Sequence, residues 1–431
     1  MKKSRYQFYE EISSSQFLHY SSLTNNFLLL NEKLHLLYET TEANQIKEKH
    51  HSLFEQLRNN KFLVDDDFDE CHYVLQQKQN MIDNSDYYQV VVNTTLDCNL
   101  SCWYCYENRI AGSKLGQEVI EGIKKNIILH FQQVGFKSLK LSFFGGEPFM
   151  YFDKIKQILD YADSFCKENS INLIADFTTN ATLFTREHIE YLKQFYCTFQ
   201  ITIDGGRKTH NKVKVDKKDQ SSTYDRMMNS LKMINTEIKN RWISVRVNFD
   251  NRTLNDIAGI IDELDFLDRR KTCVILKKVW QLKTESVNTE ALKRALQLFG
   301  ENRFLVDYYL MPKGCVCFAE RRNQVLFNYD GKIFKCTTLQ EFSKDNSLGE
   351  LDYKTGSITW EESKIHDWFA EMQPQYCKEC RWFPSCLGIC NRQIIAHDEE
   401  KICTFDSCNL SQKEYLLYLF KYNILKKELN A

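Results

Sequence analysis

The 431-residue chain has no excess of charge of either sign: 57 Lys and Arg stand against 58 Asp and Glu, a formal net charge of −1. A protein that held nucleic acid through its overall field would be strongly basic, so no nucleic-acid partner is expected. Also missing is any uncharged apolar run near the ~18 residues of a membrane-spanning helix, so no membrane partner is expected either. The opening "MKKSRYQFYEE" is basic but has no apolar signal core and no cleavage site. A cytoplasmic protein is the expectation. No solenoid-type repeat and no low-complexity linker breaks the chain, whose length suits about two to four domains.

Cysteine is what the chain has in quantity, sixteen residues in all. Disulfides explain such a number in small secreted chains, which this is not. Cys71, Cys166, Cys197 and Cys273 lie scattered in periodic or apolar segments and read as small core hydrophobes. The other twelve are clustered. Three fall in "TTLDCNLSCWYCYENR" (residues 94–109) and nine between Cys315 and Cys408. These call for metal.

Residues 1–83 show no helix–strand alternation. "FLHYSS" and "NNFLLLN" flank a turn, two helical stretches follow, and "KFLV" closes the segment. This pattern resembles a small winged-helix module of the kind that recognises leader peptides in ribosomal-peptide biosynthesis, by adding a strand to a sheet edge. A capping module packed on the next domain is the alternative. From residue 84 to 305 the chain alternates, with strands expected at "YQVVVNTT", "SLKLSFF", "NLIADFT", "CTFQITI", "WISVRVNF" and "TCVILKKVW". Helices between them carry apolar stripes, such as Ile120, Ile123, Ile127, Phe131 and Val134, or Ile155, Leu159, Ala162 and Cys166. Six such units imply an α/β fold, a partial (β/α)6 TIM-like barrel with right-handed crossovers. The triple-Cys loop then follows the first strand, "GGEP" the second, "TTN" the third and "DGG" the fourth. All would open on one face, where such folds carry their chemistry. Residues 306–410 form a Cys-rich region of short strands and turns, expected to be held by metal. Residues 411–431 read as a closing helix whose Leu416, Leu419, Phe420 and Asn423 face the core.

Cys98, Cys102 and Cys105 are separated by three and then two residues, with no His nearby. Three thiolates leave a zinc site or a [4Fe-4S] cube one ligand short. Here the chain resembles the radical S-adenosylmethionine (SAM) family, whose signature is three Cys at this spacing with an aromatic, here Tyr104, before the last. The resemblance implies that SAM chelates the open iron. Reductive cleavage would then give a 5′-deoxyadenosyl radical that takes a hydrogen from the substrate. It further implies that Gly145, Gly146, Glu147 and Pro148 border the methionine end, with glycine permitting close backbone approach. Asn180, Thr202 and Arg226 are candidates for the ribose or the carboxylate.

The tail, with "CKECRWFPSCLGIC", resembles the SPASM extension of radical SAM maturases, which carries two auxiliary [4Fe-4S] clusters and so brings the total to three. By that resemblance Cys317, Cys336 and Cys390, with Cys315 as candidate fourth, would hold the first auxiliary cluster. Cys377, Cys380 and Cys386, completed by Cys403 or Cys408, would hold the second. A zinc knuckle is the competing reading of these tail cysteines. Members with this extension modify peptides or proteins, and draw electrons from a donor such as flavodoxin or ferredoxin. Sulfatase maturases carry an acidic base directly after the residue matching Cys336, where this chain has Thr337. The expectation is therefore an oxidoreductase that cross-links a precursor peptide bearing a leader, through a thioether, C–C or C–O bond. The alternatives are formylglycine formation in sulfatases and a catalytically silent iron–sulfur adaptor.

Overall fold

The N-terminal residues build a small sheet and a helical cluster because apolar and polar positions switch period after residue 31. In the computed structural model, which describes residues 1–219, 221–282, 286–309, 316–370, 373–396 and 402–430, β1 (Lys2–Lys3) is followed by β2 (Gln7–Ser13), β3 (Gln16–Ser21) and β4 (Asn26–Asn31). β2, β3 and β4 form an antiparallel meander with β3 in the middle. Leu18 and Tyr20 of β3 are fully buried. The Asn31 side chain then accepts a hydrogen bond from Leu34 N at 3.0 Å, a cap that starts α1 (Glu32–Thr40). α2 (Ala43–Lys49), α3 (His51–Asn59), β5 (Leu63–Val64) and α4 (Glu70–Asp83) complete the segment, and β5 pairs with β1. Leu53 and Leu57, one turn apart on α3, join Leu30, Tyr38, Ile46 and Phe62 in one core. Each such side chain contributes about 1.5–3 kcal/mol by burial.

The chain divides into two compact units: Met1–Asp83 with Tyr309–Cys317 and Ala370–Ile424, and Asn84–Tyr308 with Phe318–Phe369 and Leu425–Ala431. Within the first, the meander packs on the Cys-rich segment. The Phe8 ring lies 4.6 Å from that of Trp382, Tyr20 Oη meets Ser385 Oγ at 2.7 Å, and Tyr6 Oη donates to the Lys378 carbonyl at 2.7 Å. In the helix Gln412–Asn430, Tyr415, Leu416 and Leu419 are fully buried.

The second unit carries an eleven-stranded sheet. Its parallel strands are β6 (Tyr87–Thr95), β7 (Ser138–Gly145), β8 (Asn172–Thr179), β9 (Tyr196–Ile203), β10 (Arg241–Phe249), β11 (Thr272–Lys278) and β12 (Leu305–Asp307), neighbouring one another in chain order. β6 to β11 are the six strands expected from the alternation. The three-residue β12 adds a seventh. On the other side of β6, β13 (Gln324–Phe327) pairs parallel, and β14 (Lys332–Phe334), β15 (Gly349–Leu351) and β16 (Ile358–Trp360) continue antiparallel. The connecting helices include α5 (Gln117–Val134), α6 (Phe152–Glu168), α7 (Arg186–Leu192), α8 (Arg207–Val213) and α9 (Thr223–Glu237). On α5, Ile120, Ile123 and Ile127 are fully buried, whereas Val134 in the last turn is exposed. Gly135, left-handed at φ 67°, stops that helix by donating to the Phe131 carbonyl at 2.8 Å. Cys166 and Cys197 are buried and Cys71 and Cys273 half-buried. No helix among the described residues is long and apolar enough to cross a membrane.

Candidate functional site

The triple-Cys loop leaves the end of β6 and is held by its own backbone and by the segment 215–217. Ser101 N donates to the Val215 carbonyl at 2.8 Å and Lys217 N to the Asn99 carbonyl at 2.9 Å. The Asp97 carboxylate accepts from Cys98 N at 2.7 Å and Gly112 N at 2.9 Å, which ties both ends of the loop together. Cys98 is buried, and Cys102 and Cys105 are half-buried. Burial pushes the Cys98 thiol up to about 11, with the nearby Arg109 charge pulling the other way. Burial also raises the Cys102 pKa, and Asp204 and Cys105 add to that rise. Arg109 Nη2 donates to Cys105 Sγ at 2.9 Å, and Nη1 is buried without a hydrogen-bond partner. Burial opposes the Arg109 cation, but Cys98, Cys105 and Glu107 hold it firmly charged.

Gly145, Gly146, Glu147 and Pro148 lie against this loop. Gly146 N donates to the Thr95 carbonyl at 2.9 Å and Glu147 N to the Asp97 carbonyl at 3.0 Å. A Cβ on Gly145 would stand 2.1 Å from the Thr95 oxygen, and one on Gly146 1.8 Å from the Asp97 oxygen. The two glycines are thus required by the approach of two backbones, the Cys loop and the β7 end. Gly145 also has φ +110°. Glu147 is fully buried. Its Oε1 accepts from Thr179 Oγ1 at 2.7 Å and Phe149 N at 3.1 Å, and its Oε2 from Asn180 N at 2.7 Å. Burial raises its pKa against the pull of those three donors. Both carboxylate oxygens are therefore engaged with the protein's own loops, those following β7 and β8. Pro148 opens the short 3-10 turn that Glu147 caps. Asn180 completes the lattice: its Nδ2 donates to Asn99 Oδ1 at 2.9 Å and lies 3.7 Å from Cys98 Sγ.

Tyr104 is pinned at its hydroxyl, which donates to Asp204 Oδ2 at 2.6 Å and accepts from Asn248 Nδ2 at 3.2 Å. Lys214 pairs with Asp204 at 3.4 Å, both being buried. Burial disfavours the Lys214 charge, but Tyr104, Asp204 and Cys102 keep its pKa well above the ordinary value. Arg226 on α9 reaches Asp216 Oδ2 at 2.7 Å, and the same oxygen accepts from Asn99 Nδ2 at 3.1 Å. Its guanidinium thus braces the Cys loop from outside. Thr202 lies in β9, half-buried, in register with Arg246 of β10. The sequence reading missed Arg109, Lys214, Asp204 as a charge partner, and Asn248. No local pattern separates a buried cation from a solvated one, because the burial arises from distant strands.

Of the tail cysteines, Cys336 belongs to the second unit and follows β14. The preceding loop meets it there: Tyr106 Oη donates to the Thr337 carbonyl at 3.3 Å, and Asn108 N to the Gln340 carbonyl at 2.7 Å. Cys317, Cys377, Cys380, Cys386, Cys390, Cys403 and Cys408 belong to the first unit; Cys315 lies outside the described residues. Burial raises the Cys377 thiol, as do Cys403 and Cys380 close by. Cys386 is pushed up to about 11 by burial, with Cys377, Cys403 and Cys380 adding to it. Those four thiols thus share one neighbourhood. Cys408 is fully buried and exerts its field on Tyr309.

Three thiols beside a buried guanidinium make a donor set suited to an anionic iron–sulfur cluster, and less to zinc, which gathers four protein ligands when structural. A family model described as "Radical SAM superfamily" matches residues 92–264, the span from within β6 past α9 and β10. A cysteine-type anaerobic sulfatase-maturating enzyme of Clostridium novyi is 21% identical, over 69% of this chain and 85% of its own. Among solved structures, native anSMEcpe with bound AdoMet and Cp18Cys peptide superposes at TM-score 0.59 and 18% identity, covering 80% of this chain and 99% of that one. Streptococcus suis SuiB bound to precursor peptide SuiA does so at TM-score 0.51 and 15% identity, covering 95% and 100%. The large, mainly parallel sheet is the one typical of this fold. Residues 92–264 are thus a radical SAM region, and the chain is similar to the anaerobic sulfatase-maturating enzymes and to SuiB.

Proposed function

We propose that the chain is a SPASM-type maturase that installs a cross-link in a ribosomally made precursor peptide. Its β6–β11 region acts as the partial (β/α)6 barrel. When bound, the cluster and SAM supply a 5′-deoxyadenosyl radical on one-electron reduction. The chain's own residues have positional roles. Cys98, Cys102 and Cys105 would ligate the cluster; Glu147 fixes the two loops that would border SAM; Asp204, paired with Lys214, and Asn248 keep Tyr104, the aromatic before Cys105, from moving. Arg109 offsets the charge of the ligating sulfurs. Cys317, Cys336 and Cys390, with Cys315, and Cys377, Cys380, Cys386 with Cys403, are the ligand sets we assign to two auxiliary [4Fe-4S] clusters. These would carry off the electron that a net oxidation releases. A flavodoxin- or ferredoxin-type donor would supply the reducing electron.

The observation that carries the choice of reaction is Thr337. It stands beside Cys336 with its carbonyl on Tyr106 of the reactive loop, and its side chain is a hydroxyl. A neutral hydroxyl does not deprotonate substrate near neutral pH as a carboxylate does, which disfavours formylglycine chemistry. The likeness to SuiB, solved bound to its precursor peptide SuiA, runs along 95% of this chain and supports a leader-bearing substrate. In the meander β2–β3–β4, β2 and β4 are the edges, the geometry that strand addition uses. The likeness to sulfatase-maturating enzymes keeps formylglycine formation as the second reading.

The test is anaerobic turnover of the reconstituted enzyme with SAM and a reductant, first alone and then with peptides. The expected result is 5′-deoxyadenosine in both, and a peptide lighter by two hydrogens with a leader-bearing precursor. Turnover of a sulfatase peptide, unimproved by Thr337→Asp, would favour the second reading. No 5′-deoxyadenosine would leave the adaptor.

A further inference from the structure

Away from the cysteines, the N-terminal module brings together two imidazoles and a carboxylate. His19 lies on β3, and His35 and Glu39 are four residues apart on α1. That spacing puts both α1 residues on one helical face, and this face meets His19. One ligand atom from each of the three lies within 4.8 Å of the other two. His19 Nε2 and His35 Nδ1 are 3.0 Å apart. Two imidazoles bound to one tetrahedral zinc, at about 2.0–2.1 Å each, bring their nitrogens to about 3.3 Å. A shift of a few tenths of an ångström separates the observed pair from that geometry.

The surroundings hold this arrangement. His19 is fully buried and its Nδ1 has no hydrogen-bond partner. His35 stacks on the Phe17 ring at 3.8 Å between centroids and meets the Tyr9 ring at 4.5 Å. The two imidazoles are thus set by packing before any ion arrives, which lowers the ordering cost of binding. Glu39 is exposed and leaves a solvent-facing side. Lys3 is close by, with its Nζ donating to the Glu39 backbone carbonyl at 2.9 Å. The donor set of two His and one carboxylate is one zinc accepts with a fourth position left to water.

We propose that His19, His35 and Glu39 form a divalent-metal site of zinc type in the N-terminal module, joining β3 to α1 with one open position. This site is independent of the iron–sulfur ligands and of the reaction proposed above.

The test uses cluster-loaded full-length protein titrated with Zn2+, followed by X-ray absorption at the zinc edge and iron analysis. The expected result is one tightly held zinc with a nitrogen and oxygen shell, imidazole outer scattering, and unchanged iron. Glu39→Gln, at an exposed position that leaves the fold intact, should weaken binding at least tenfold. His35→Gln should abolish it, with far-UV circular dichroism reporting the fold. A sulfur-containing shell, zinc uptake only at the expense of iron, or wild-type affinity in Glu39→Gln would each overturn the proposal.

Discussion

A methyl group at Gly146 would collide with the Asp97 carbonyl 1.8 Å away and approach Arg109 Nη1 at 2.8 Å. The first of these atoms is backbone and cannot swing aside, so Gly146→Ala must push the β7 end away from the Cys loop. The hydrogen bonds from Gly146 N and Glu147 N to that loop would be lost with it. We expect failure to produce 5′-deoxyadenosine and a clear fall in melting temperature. Gly259, with nothing within 4 Å of its would-be Cβ, is the control. Gly259→Ala in the helix Ile257–Glu263 should stabilise by about 0.5–1 kcal/mol and leave activity unchanged. Arg109 gives the second prediction at this scale. A hydrogen bond and a positive charge at a ligating sulfur favour the reduced cluster. Arg109→Leu should therefore shift the potential of the cluster proposed at Cys98, Cys102 and Cys105 to more negative values, followed by EPR in a redox titration, and Arg109→Lys should recover part of the shift. An unchanged potential would mean that the 2.9 Å contact serves packing alone.

At the scale of elements, Glu147 is where two loops become one surface. It caps the turn after β7 and receives the Asn180 amide and Thr179 hydroxyl from the end of β8. Glu147→Gln keeps the volume but replaces an acceptor oxygen by a donor, aimed at groups that are themselves donors. A buried donor left unpaired costs about 1–3 kcal/mol. The variant should unfold at lower denaturant concentration and bind SAM at least tenfold more weakly by calorimetry; an unchanged SAM affinity would remove Glu147 from the site. The strands that place these loops were legible because β6 to β11 are long, rich in β-branched and aromatic residues, and punctuated by amphipathic helices. β12, three residues long, was not, and neither was β2. In "QFYEEIS" the exposed edge of the meander carries two glutamates, and the pattern reads as loop. Glu147 in "GGEP" reads from sequence as an acceptor for a ligand's ammonium or for the loop's own amides, and the structure shows it accepting from the amides of Phe149 and Asn180. Whether a carboxylate meets a ligand or the protein's own amides depends on where another strand ends.

At the scale of the molecule, the sequence reading left residues 1–83 either as a leader-recognition module or as a cap on the following domain. What the meander packs against is not adjacent in sequence: it is the Cys-rich segment some 360 residues on. Phe8 and Tyr20 close on Trp382, Ser22 Oγ donates to the Arg381 carbonyl at 2.6 Å, and Lys78 Nζ to the Leu387 carbonyl at 3.0 Å. No periodicity reports a contact between segments so far apart, since each reads only as a half-buried surface. The consequence is physical. Between Cys380 and Cys386, Trp382 and Phe383 are buried, and part of what covers them is the meander. Phe8→Ala would open a cavity beside Trp382, at a cost of about 3–5 kcal/mol, without touching any cysteine. If residues 1–83 served leader binding alone, this change would leave cluster content intact. The packing instead predicts faster proteolysis within 373–424 and loss of about four irons per chain, one cube. SAM cleavage in the absence of peptide should persist, because its residues belong to the other unit. Full iron content and unchanged proteolysis in Phe8→Ala would show that the Cys-rich segment folds on its metal alone, and that the meander rests on it without supporting it.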